Sequence, residues 1–158
     1  MTSVAVLKEA LWFVLPAYFA NASPVIFGGG APIDGGRTWR DGRPIFGSNK
    51  TIRGFTAGIL IGTLVGVLQG RPLSGFLLAL GAMIGDLAGS FLTSRLGLKP
   101  GQQAPILDQL GFLLFALMLT LPVERPSAEV VVVAVLVTPL AHVVSNAVAV
   151  MLGLKRGL

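Results

Sequence analysis

The sequence predicts an all-α integral membrane protein, a bundle of about five transmembrane helices with the N-terminus outside and the C-terminus cytoplasmic. Three observations carry this. Of 158 residues, 53% are hydrophobic and only 12% charged, about half the charged share of an ordinary soluble domain. Mean hydropathy is +0.80. The apolar residues fall into runs near the roughly 17–25 residues that a span requires, without the period-two alternation of barrel strands. Cysteine is absent and histidine occurs once, which removes disulfides, thiol catalysis and Cys-based metal sites.

The first run covers residues 4–22. Lys8, the apolar stretch and Ala20-Asn21-Ala22 imitate a secretory signal with its small-residue cleavage site. The charge distribution argues for a retained span instead. The stretch that follows holds Arg37, Arg40, Arg43, Lys50 and Arg53, and cleavage would leave it outside, against the positive-inside bias. The second run, 55–70, is short, with Arg53 and Arg71 placed to snorkel at its ends. The third, fourth and fifth cover 73–92, 106–123 and 130–154. Arg95 and Lys99 follow the third, and Lys155 and Arg156 close the chain, whereas the remaining two loops carry only Arg71 and Arg125. The segments 23–54 and 93–105 are therefore expected as cytoplasmic loops, and 1–158 as a single multi-pass domain of the cell membrane.

Glycine recurs every fourth residue at Gly54, Gly58, Gly62, Gly66 and Gly70, and again at Gly81, Gly85 and Gly89. That spacing keeps glycine near one helix face and lets backbones approach closely. The second and third spans are expected to pack directly on each other.

Asp86 stands out, because a carboxylate inside a span costs several kcal/mol unless it is paired, protonated or hydrated. With Ser90 and Ser94 it makes a polar stripe, about 13 Å from Arg95 at 1.5 Å per residue. Its structural alternative is an ion pair with Arg53, Arg95 or Lys99. Asp108, at the start of the fourth span, suits the positive end of a helix dipole on its own. Asn146 lies at about the depth of Asp86 and His142 one turn deeper; His142 reads best as interhelical glue. Two carboxylates beside several Lys and Arg residues suit a hard, oxygen-ligated cation such as magnesium, held by one or two carboxylates plus phosphates and waters. Asp86 and Asp108 are the candidate metal ligands. The stretch "GRPIFGSNKTIRG" is not a P-loop, since its Lys-Thr pair comes too late for that spacing. It is a Gly-rich loop before a helix, and Asn49, Lys50 and Arg53 could cradle a phosphate there or rest on anionic headgroups. Trp39, in the same loop, suits the membrane interface or a stacked base.

Three blocks, "FGSNKTIRG", "GDLAGSF" and "RLGLKPGQQAPILDQLGF", resemble the CDP-archaeol synthase family, which is distantly similar to the CDP-diacylglycerol synthases. The resemblance covers nearly the whole chain. It departs at Thr93-Ser94 before Arg95, where the family often has a basic pair, and at Gly111, where a second acid is frequent. The resemblance implies transfer of CMP from CTP to unsaturated archaetidic acid, giving CDP-archaeol and pyrophosphate. It implies Asp86, Asp108 and Lys99 as catalytic residues, with Asn49, Lys50, Arg53, Ser90, Arg95 and Asn146 binding phosphate or substrate. Mg2+ is the expected cofactor, CTP and a membrane lipid phosphate the partners, without nucleic acid or an obligate protein partner, and the site faces the cytoplasm. The alternatives are a small ion- or proton-coupled transporter, another lipid enzyme such as a glycerol-phosphate acyltransferase, or a structural subunit.

Overall fold

A computed structural model describes residues 3–97, 105–151 and 153, without the side chains at 105–109, 142, 145, 146 and 149. Among the described residues five helices follow in order: α1 (Ser3–Phe27), α2 (Ile52–Leu68), α3 (Pro72–Arg95), α4 (Pro105–Thr120) and α5 (Ala128–Met151). No β-strand occurs among the described residues; two isolated bridges, Pro32 with Thr51 and Thr38 with Pro44, lie in the α1–α2 loop. By length and composition α1 and α3 can cross a membrane, and Ile52–Leu68, Leu110–Thr120 and Ala128–Ala141 are shorter apolar stretches.

The helix ends differ from the expected limits for local reasons. Helix α1 continues to Phe27 through Pro24. Helix α2 starts three residues early because Thr51 accepts the Gly54 amide as its N-cap. The α4 helix stops at Thr120, just before Pro122. At the start of α5, the Ser127 hydroxyl accepts the Val130 amide at 3.3 Å.

Small residues make much of the core. Ala10, Ala17, Ala20, Ala79, Ala82, Ala116 and Ala134 are buried, while Leu68, Leu136 and Leu140 are 77%, 72% and 66% exposed. Large apolar side chains on the outside and small ones within is the pattern of helices whose outer solvent is lipid, where association depends on close packing.

The glycines set the register. A Cβ on Gly58 would meet Met83 of α3 and the Ala20 carbonyl of α1; one on Gly62 would meet Ala79 and the Pro16 carbonyl; one on Gly66 would lie 2.4 Å from the Gly75 Cα. The α2 stripe thus packs on α1 and α3 together. The α3 stripe does not face α2 as expected. Gly81 meets Phe115 and Ala116, and Gly85 meets Gly111 and Phe112, all on α4. Helices α1 and α3 therefore run parallel, with α2 and α4 opposed to them. Carried one turn further, this register sets the backbone of residue 108 level with Ala88 and Arg53. Helix α5 is tied in by the Tyr18 and Thr138 hydroxyls, 2.8 Å apart, and by the Tyr18 ring edge-on to Phe112.

Proline leaves a demand at the end away from the α1–α2 loop. Pro16 has no N–H, so the Trp12 carbonyl four residues earlier loses its helical donor. Gln69 Nε2 donates to that carbonyl at 2.7 Å, and Arg71 Nη2 reaches the Phe13 carbonyl at 3.4 Å. Arg71 also pairs with Glu124 and lies over the Phe13 ring, so one guanidinium joins α1, the α2–α3 turn and the segment after α4.

Gly66→Val should be the most damaging substitution in the α2 stripe, because its side chain would meet backbone that cannot move aside. The overpacking is expected to cost at least about 1–3 kcal/mol, read as a lowered unfolding temperature in detergent. Gly36→Ala, in open space but with positive φ, should cost less.

Candidate active site at the loop end of α2 and α3

Asp86 continues the stripe Leu78–Ala82 on α3, both fully buried, and projects between α1 and α2. It is paired. Lys50 Nζ donates to both carboxylate oxygens, at 2.7 and 2.6 Å, with 25% and 22% of the Lys50 and Asp86 side chains exposed. The ion pair expected as an alternative therefore exists, but its partner is none of Arg53, Arg95 or Lys99. Lys50 Nζ reaches Asp86 from the residue before the α2 N-cap.

The backbone delivering Lys50 is tied down. Its N–H donates to the Gly47 carbonyl at 3.2 Å, closing a turn over Gly47–Lys50, and its carbonyl accepts the Ile33 amide at 2.7 Å. Asp34 organises the rest of the loop. One carboxylate oxygen accepts the Gly36 amide at 2.9 Å, and the other accepts those of Phe46 and Gly47 at 2.9 and 3.1 Å. Partial burial pushes the Asp34 carboxyl up, but these backbone donors outweigh it and hold it below the ordinary 3.8.

The loop is also latched to the end of α3. Arg43 donates to the Ser94 and Arg95 carbonyls at the helix C-terminus, the first of which also accepts the Gly97 amide at 3.2 Å. Ser94 Oγ and Arg95 Nη2 both donate to the Pro44 carbonyl, at 2.7 and 2.6 Å. Asp41 lies 3.0 Å from Arg95 Nε. Arg95 sits over the Phe91 ring, against which Trp39 packs edge-on at 5.5 Å.

Beside the Lys50–Asp86 pair is a pocket of about 30 Å3, with Asn49 and Thr51 at its polar edge and Pro24, Phe55, Met83 and Leu87 among its apolar walls. It is room for a water or a bare ion; a nucleotide needs the loop side to open.

Of the sequence-predicted site residues, Asn49, Lys50, Arg53, Asp86 and Ser90 lie around this end of α2 and α3. Asn49 and Arg53 are exposed, and Ser90 is half-buried one turn beyond Asp86. Arg95 is engaged with the loop, through Asp41 and Pro44. Asp108 and Asn146 fall on α4 and α5, but their side chains lie outside the described residues, as does the whole of Lys99. Among the described residues no group of three or more His, Cys, Asp or Glu forms. Magnesium does not require one. Of the two expected ligands, the side chain of Asp86 alone lies among the described residues, a hard carboxylate that Lys50 Nζ spans on both oxygens; the helix register sets the backbone of residue 108 about two residues beyond it, level with Ala88.

Sequence reasoning missed Asp34, Asp41 and Arg43, which build the loop, and Thr51, which caps α2. The run Pro-Ile-Asp-Gly-Gly carried a signal, since Asp before glycine often bonds its own following amides.

The chain matches the family model described as CarS-like: CDP-archaeol synthase, over residues 3–74 and 71–157. It is similar to the CDP-archaeol synthase of Pyrococcus furiosus, 55% identical over 153 residues, covering 89% of this chain and 91% of that one. The corresponding protein of Thermococcus gammatolerans is 51% identical over 158 residues, covering 92% of each. A solved structure of an intramembrane enzyme for archaeal membrane lipids biosynthesis superposes with TM-score 0.78 at 40% identity, covering 89% of this chain and 94% of that one.

The lowered Asp34 value fixes the sign of a pH effect. Its carboxylate stabilises the loop fully above about 3.8 and loses that contribution as pH falls through the lowered value. Hydrogen-exchange protection of the Phe46 and Gly47 amides should therefore persist at pH 5 and fade below that window. In Asp34→Ala the same amides should be unprotected already at pH 7.

Proposed function

The chain belongs to the CDP-archaeol synthase family and is a membrane CTP-dependent cytidylyltransferase acting on an archaeal ether-lipid phosphate; we propose that its reaction centre is at Asp86 and Lys50, on the cytoplasmic side. Family membership sets aside the transporter, acyltransferase and structural-subunit alternatives. The observation that supports the location most is the Lys50–Asp86 pair itself. Asp86 is a carboxylate inside a span, and the counter-charge it meets comes from a loop side chain that can reach phosphate oxygens as well, a pairing suited to ionic ligands.

The proposed reaction joins the phosphate oxygen of unsaturated archaetidic acid to the α-phosphorus of CTP. The bond to the β-phosphate breaks and pyrophosphate leaves. A phosphate monoester with a second pKa around 6 is largely ionised at neutral pH, so no protein base is needed. The obstacle is repulsion between two highly negative partners, and catalysis is mostly positioning and neutralisation. Lys50, on its anchored turn, exchanges the Asp86 carboxylate for a phosphate oxygen when nucleotide arrives. Arg53, exposed in the first turn of α2, and Lys99 supply further cationic donors. Asn49, Ser90 and Asn146 offer neutral hydrogen bonds to either substrate. Arg95 acts on the loop that carries Lys50 and takes a phosphate only if Asp41 releases it. Magnesium held by Asp86 and Asp108 would neutralise nucleotide phosphate oxygens and the departing pyrophosphate.

The sidedness follows from charge. With Arg37, Arg40, Arg43, Lys50 and Arg53 in the α1–α2 segment, the positive-inside rule puts that segment in the cytoplasm, the N-terminus outside and the chain through the membrane several times. CTP then comes from water while the lipid phosphate waits at the headgroup plane.

Purified protein in detergent with labelled CTP, magnesium and lipid phosphate should move label into the lipid fraction and release pyrophosphate. Asp86→Asn and Asp108→Asn are each expected to lower kcat at least about a hundredfold, as for loss of a strong electrostatic stabiliser. Arg125→Ala, exposed at the other end, should leave turnover near normal. Wild-type turnover in both carboxylate variants would refute the proposed centre.

A further inference from the structure

We propose that Asn21 is a further substrate-positioning residue, whose side-chain amide holds the phosphate–glycerol end of the lipid; this rests on the location proposed for the reaction centre. Asn21 continues a stripe on α1 that begins with Val14 and Ala17, both fully buried. Asp86 ends the equivalent stripe on α3, after Leu78 and Ala82. Helices α1 and α3 run parallel, so two apolar seams reach the same end of the bundle and each finishes in a polar side chain.

The direction of Asn21 is fixed by its neighbours. Ala20 faces α2, where its carbonyl meets Gly58. Tyr18 faces α4 and α5, through Phe112 and Thr138. Asn21 lies about 100° around the helix from Ala20 and about 60° from Tyr18, hence between them, toward the bundle interior. It is half-buried. Among the described residues its amide makes no hydrogen bond. A primary amide offers two donors and an acceptor, and in a membrane bundle those groups need partners.

The depth selects the partner. By the glycine register Asn21 stands level with Gly58, about two residues or roughly 3 Å further into the membrane than Asp86. A nucleotide entering from water meets Lys50 and Asp86 first. The lipid comes from the other direction, with its phosphate at the level of Asp86 and its glycerol oxygens just beneath. A neutral amide at that place can donate to a phosphate ester or ether oxygen without adding charge beside the carboxylate.

The test uses the whole protein in mixed micelles, with lipid phosphate varied as mole fraction at saturating CTP and CTP varied at saturating lipid. Asn21→Ala should raise KM for the lipid phosphate about tenfold, as for loss of a buried hydrogen bond. KM for CTP should stay within about twofold, and Asn21→Ser, which keeps a donor, should recover part of the loss. A rise in KM for CTP alone, or unchanged constants for both substrates, would overturn the inference. So would a large fall in unfolding temperature for Asn21→Ala while Asn21→Ser keeps wild-type KM, which would assign the amide to helix packing. Asp86→Asn is run alongside: full turnover there removes the proposed centre, whereas an inactive Asp86→Asn with a wild-type Asn21→Ala removes only the role of Asn21.

Discussion

Much of this structure turns on where one carboxylate finds its counter-charge. Asp86 sits on a seam otherwise made of Leu78 and Ala82, and it is compensated from outside that seam by Lys50 Nζ on both oxygens. Lys50 is not on a transmembrane segment of its own. It is the end of a loop whose fold is set by the Asp34 carboxylate and whose far edge is fastened to α3 by Arg43, Ser94 and Arg95. The loop that supplies the cation and the helix that supplies the anion are thus fixed to each other twice, at Asp86 and again nine residues further along. A geometry held at two points on one helix leaves the ammonium little freedom except along its own side chain.

The close fit of the helices serves the same end. Glycine at 58, 62 and 66 brings α2 against α1 and α3, and glycine at 81 and 85 brings α4 against the next face of α3. A side chain at any of these five positions would push the helices apart by the width of a methyl group or more. Asp86 and Lys50 would then part, and the level shared by Arg53, Ala88 and residue 108 would be lost.

The all-helical membrane class was legible because hydropathy is a property of whole segments, insensitive to single residues. The helix ends were legible only to within a few residues, since they depend on local devices such as the Thr51 and Ser127 caps. The glycine stripes were seen and α2 does pack directly on α3, but through its own stripe and Gly75, while Gly81 and Gly85 meet α4: period tells which residues share a face, not which neighbour that face meets. Asp86 was found because a charge among apolar residues is conspicuous. Its partner was missed because a loop thirty-six positions away in sequence can approach from any side. Arg95 shows the converse limit: its charge and position suit phosphate binding, and only the fold reveals Asp41 and the Pro44 carbonyl beside it. Asp34 and Asn21 were passed over for a shared reason. Their significance lies in three amides and a helix face, neither of which is written as a motif.

At the opposite end, Gln69 and Arg71 occupy the carbonyls that Pro16 disturbs, and Glu124 neutralises the guanidinium. With Gly66 against Gly75 just beside them, α1, α2, α3 and the segment after α4 are held to one another there by direct contact. A bundle pinned at one end in this way can admit and release ligands at the other without its helices losing register.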